Sequence, residues 1–102
     1  MSSRTDLHNE LVRLFESNNV YYQPPENLKM NYPAIVYYKG DIDKQSADNI
    51  GFILTDSYTV TVISPLPDNP VIKKILSEIP MSSYDRSYIS DKLNHDVLTI
   101  YY

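Results

Sequence analysis

Between Leu54 and Ser64 the chain reads LTDSYTVTVIS, and its residues alternate. Tyr58, Val60 and Val62 fall on one face of an extended strand, and Thr59, Thr61 and Ile63 on the other. Successive β-branched and aromatic residues lose side-chain freedom in a helix and pack well on a pleated sheet, so pattern and propensity agree. The pattern predicts the central strand of a sheet. The other segments are placed by asking what would cover its two faces.

Residues 4 to 17 carry Leu7, Leu11, Leu14 and Phe15 at helical spacing, with Arg4, His8, Glu10 and Arg13 elsewhere on the wheel. Ser3 or Thr5 suits the start of this helix as a cap, and Asn18 and Asn19 suit the left-handed turn that ends one. Val20 to Gln23 reads as a short edge strand, stopped by Pro24 and Pro25, which lack backbone donors. A rigid bend explains that proline pair better than a polyproline-binding partner does. Residues 26 to 33 form a loop, and Ala34 to Lys39, AIVYYK, form a second firm strand.

Residues 40 to 52, GDIDKQSADNIGF, connect that strand to the central one. A tight hairpin needs two to five loop residues, so this longer connection predicts an extended arm or a functional loop. Beyond the central strand, Pro65 and Pro67 end the sheet. Asp68 or Asn69 then caps a second helix with Pro70 at its first position, where a missing N–H costs nothing. Val71, Ile72, Ile75, Leu76 and Ile79 form its apolar stripe, and Pro80 stops it. SYDRSYI at 83 to 89 and HDVLTIYY at 95 to 102 read as two more strands, separated by a turn around Ser90 to Asn94. The expected fold is therefore one α+β domain over residues 1 to 102. It has a mostly antiparallel sheet of four to five strands, two helices on one face, and the order α-β-β-β-α-β-β.

Composition narrows the function without defining it. The chain has 102 residues, 42% hydrophobic and 22% charged, enough for one modest core. Ten Tyr stand against two Phe and no Trp, a bias that suits half-buried sheet faces and protein interfaces alike. The net charge of −4 repels phosphate, and Lys73 and Lys74 are the only adjacent basic pair, so tight nucleic-acid binding is not expected. With no cysteine, disulfides, thiolate metal sites and a Cys nucleophile are excluded, and the chain fits a reducing compartment. No apolar run has the length or flanks of a signal peptide or membrane span, so a cytosolic site of synthesis and no membrane partner are expected.

Candidate chemistry is sparse. His95 and Asp96 are adjacent, but neighbouring strand residues face opposite ways, so they cannot form a dyad. His8 and His95 lie far apart and outside any paired-histidine pattern, which makes zinc improbable. Asp41 and Asp43 resemble the start of a calcium loop, but Ser46 stands where that loop needs glycine and no Glu closes it. Gly40 and Gly51 are the only glycines, too few for a phosphate-cradling loop. Asp85 with Arg86, and Asp91 with Lys92, are more simply read as surface or turn contacts than as an active site. No enzymatic role and no cofactor are expected.

Three stretches taken together resemble a known family: YYQPPENLKMNYPAIVYY at 21 to 38, LTDSYTVTVIS at 54 to 64, and SSYDRSYISDKLNHDVLTIYY at 82 to 102. In that order, after an amino-terminal helix, they look like the tail terminator, or tail completion, proteins of long-tailed bacteriophages, especially phages of Gram-positive hosts. QPPEN, MNYP and YDRSY…DKLNHDVLTIYY are the most specific parts. The resemblance implies a structural virion subunit, commonly a hexameric ring. It would sit on the last ring of the tail tube at the head-proximal end, after assembly in the host cytoplasm. Its implied partners are copies of itself, the tail tube protein and a head-tail connector protein, with DNA only passing through the channel.

On this reading the 40 to 52 segment is an assembly arm, with Asp41, Ile42, Asp43, Lys44, Gln45, Asp48 and Asn49 as interface candidates. Its carboxylates would also keep passing DNA from sticking. Tyr101 and Tyr102, and more weakly Tyr37 and Tyr38, are further interface candidates, divided between core and contact. Two other readings compete: a head-closure or adaptor protein of the same neck, and a small cytosolic protein-binding module.

Overall fold

The structure, a computed structural model, describes residues 4–46 and 52–102. Two helices, α1 (Arg4–Phe15) and α2 (Val71–Glu78), accompany five strands. These are β1 (Val20–Tyr22), β2 (Ala34–Ser46), β3 (Phe52–Ser64), β4 (Ser82–Ser90) and β5 (Leu93–Tyr101). They form one sheet in the spatial order β1-β2-β3-β5-β4, with β3 in the middle. All pairings are antiparallel except β1 with β2, which is parallel, so the sheet is mixed and the α+β expectation holds.

The alternation along β3 divides the molecule. Tyr58, Val60 and Val62 join Ile35 and Tyr37 of β2, Leu98 and Ile100 of β5 and Val20 of β1 in one buried cluster. Leu7, Leu11 and Leu14 of α1, spaced to share one helix face, cover it beside Val71 and Ile75 of α2 and Ile79 just past its end, all on the same sheet face. Ile72 is partly buried and Leu76 is exposed, so the stripe on α2 is narrower than its sequence implies. On the opposite face Ala34, Val36, Ile63 and Val97 are also buried. There the connection between β1 and β2 supplies cover: Pro24, Pro25 and Met30 line a depression with Val36 and Ile63.

The ends of the elements follow local rules with some substitutions. Asn69 accepts a hydrogen bond from the Val71 N–H at 3.0 Å and so caps α2, with Pro70 following it. Ile79, ahead of Pro80, is extended as pre-proline residues prefer. At the end of α1 the left-handed residue is Glu16 (φ 57°), not Asn18 or Asn19. Thr5 lies inside α1, and Ser3 falls outside the described residues. Asp91 and Lys92 make the two-residue turn between β4 and β5, both with positive φ, as a turn matched to strand twist requires.

The largest departure from the sequence reading concerns residues 40 to 52. Strand β2 continues to Ser46 and β3 begins at Phe52, with Ile42 opposite Asp56, Lys44 opposite Leu54 and Ser46 opposite Phe52. A two-stranded ribbon thus prolongs the hairpin over much of a segment expected to be an extended arm or a functional loop. It leaves the sheet at a bulge, where Gly40 and Asp41 together oppose Ser57. A Cβ at Gly40 would stand 2.6 Å from Ser57 Oγ and 3.3 Å from its carbonyl oxygen, so close backbone approach is what selects glycine here. Gly40→Ala should lower unfolding free energy by about 1 to 3 kcal/mol. Adding Ser57→Ala should recover part of that loss in urea denaturation. A single-variant midpoint equal to that of the parent would show that Ser57 yields freely.

Candidate assembly surface

A sheet exposes unpaired N–H and C=O groups along its edges, and these are where another chain can add. β1 is short, three residues long, and Gln23 (φ 44°) followed by Pro24 and Pro25 turns the chain away after it. On the far side β4 is exposed almost throughout, but its register slips between Tyr84 and Arg86, leaving Asp85 as a bulged residue. The Asp85 carboxylate accepts a hydrogen bond from Thr99 Oγ1 at 2.5 Å. A bulge and adjacent charges unfit an edge for pairing, so both formal edges of the sheet are blunted.

The ribbon is different. Tyr101 of β5 pairs with Ser57, and the Tyr102 N–H donates to the Asp56 carbonyl at 3.1 Å. On the β2 side the Gln23 side chain accepts from the Lys39 N–H at 3.2 Å. Past these points residues 42–46 pair with 52–56 across the hairpin, and among the described residues no third strand joins the ribbon. The molecule measures 49 × 26 × 24 Å, long for its size in one direction.

The structure therefore gathers Asp41, Ile42, Asp43, Lys44 and Gln45 on one strand of this ribbon. Asp48 and Asn49 lie outside the described residues. The tyrosines divide. Tyr37 is fully buried, Tyr38 is 45% exposed, and Tyr101 and Tyr102 are half-buried at the end of β5, with Tyr102 packed against the core. Periodicity could separate Tyr37 from Tyr38 as opposite-facing neighbours, but not say which face the helices would take.

Sequence reasoning missed what holds α1 against the sheet. The buried ring of Tyr37 packs with Tyr22 (centroids 4.9 Å apart) and Tyr58 (6.1 Å), and Arg4 lies over the Tyr22 ring at 4.5 Å. The Tyr37 hydroxyl meets His8 Nδ1 at 2.7 Å and Arg4 NH1 at 3.4 Å. Arginine only donates, so the phenol oxygen accepts from Arg4, and it shares a hydrogen bond with His8 Nδ1 whose direction follows the imidazole tautomer. Burial, and secondarily the nearby Arg4 charge, hold the His8 pKa below its ordinary 6.5. Burial pushes the Tyr37 phenol up. These contacts satisfy a phenol whose ring is buried in the core.

Among the described residues the other polar contacts of the sheet are pairwise. His95 stacks on Tyr88 (centroids 4.7 Å, planes 11° apart) on the face away from the helices, while Asp96, on the helix side, accepts from the Tyr84 hydroxyl at 2.7 Å. The neighbouring His and Asp thus face apart, as strand geometry dictates. Tyr84 and Asp96 line a groove of about 560 Å3 with Asp68, Asn69, Pro70 and Lys73 at the start of α2. Among the described residues no group of three or more His, Cys, Asp or Glu side chains could hold a metal ion, and no helix is long and apolar enough to cross a membrane.

Set against known families and curated proteins, the chain matches no family model and no curated protein.

The depressed His8 pKa has a consequence for stability. The unfolded chain takes up a proton at this residue before the folded one does. The stability tied to keeping His8 neutral in its partly buried place beside Arg4 is therefore present above pH 6.5 and is lost as pH falls through the lower folded value. The urea midpoint should fall between pH 7.5 and pH 5, and His8→Gln should flatten that dependence. An unchanged slope in His8→Gln would remove His8 from the acid response.

Proposed function

We propose that this protein is a structural subunit that works by assembling with copies of itself, as a tail terminator of a long-tailed bacteriophage. It caps the tail tube, ends its growth and offers the surface that receives the head. The observation that carries the reading is the distribution of open edges. The edges of the main sheet are closed off by length, proline, bulge and charge, while the β2–β3 ribbon leaves the domain with no further strand paired to it among the described residues. Such an arm suits the contact between unlike surfaces that generates a ring. The three sequence stretches that resemble tail terminators support the same reading, since two of them, 54 to 64 and 82 to 102, fall on the central strand and on the β4–β5 hairpin that flanks it.

The acidic balance of the chain is compatible with a channel through which DNA slides without adhering. The partners on this reading are neighbouring copies in a ring, commonly six, with the tube protein below and the connector above.

Replacing residues 42–55 by Asn-Gly, so that a tight turn joins Asp41 to Asp56, should leave a cooperatively folding domain. Tails made with this variant should lose completion, and electron micrographs should show tubes of abnormal length. Normal tails left unattached to heads would transfer the role to an adaptor or head-closure protein. A parent chain that stays monomeric at high concentration and is absent from purified particles would make it a small cytosolic binding module. Normal particles carrying the shortened variant would refute the arm.

A further inference from the structure

We draw no further inference here: the strongest candidate, the sheet face away from the helices where Tyr38 and Tyr88 stand beside the buried Val36 and Ile63, is an unpartnered face, and nothing in the structure shows what covers it.

Discussion

Backbone hydrogen-bonding groups at a sheet edge must be paired, covered or made unattractive, and the way this sheet meets that requirement governs the rest of the molecule. β3 solves it by lying in the middle, between β2 and β5. β1 solves it by being short and ending in two prolines, and β4 by a bulge at Asp85. What is left over is concentrated in the ribbon, where β2 and β3 outrun every neighbour. Among the described residues, strand without a second neighbour is thus placed at one end of a domain whose flanks are blunted.

The helix layer follows from the same arrangement. Strands whose central rows are apolar need cover, and α1 and α2 bring Leu7, Leu11, Leu14, Val71, Ile75 and Ile79 onto them. Tyr37 complicates this core because its hydroxyl is carried inside. Arg4 and His8, one helical turn apart on α1, reach that oxygen from the edge of the layer, so a polar requirement also fixes the position of the helix along the sheet. On the other face no helix is present among the described residues, and the loop holding Pro24, Pro25 and Met30 covers only part of the floor.

Much of this fold was readable from residue order. The period of two in 54 to 64, the leucine spacing in 4 to 17 and the proline that stops 71 to 79 each reflect a strong local preference, and the structure has an element at each. The ribbon was read only as a long connection, because GDIDKQS contains glycine, aspartate and serine, residues that mark turns, and alternates without apolar residues on both faces. Its strand state depends on pairing with Phe52 to Asp56 across the hairpin, a non-local cause. The same holds for Glu16 and Lys92, whose left-handed backbones are imposed by the chain around them in place of a residue that prefers them. The contact of His8 with Tyr37 joins positions far apart in sequence, so no spacing could announce it.

One feature of the ribbon reaches beyond the ribbon itself. β3 runs from Phe52 to Ser64 as one strand, while the bulge interrupts only its partner β2. A pull on the arm is therefore delivered along a single unbroken rail into the centre of the domain. There the antiparallel ladder with β5, from Ser57 to Ser64, carries the load in shear, with its bonds strained together and not one after another. The strand that organises the core is also the tether by which the subunit would be held.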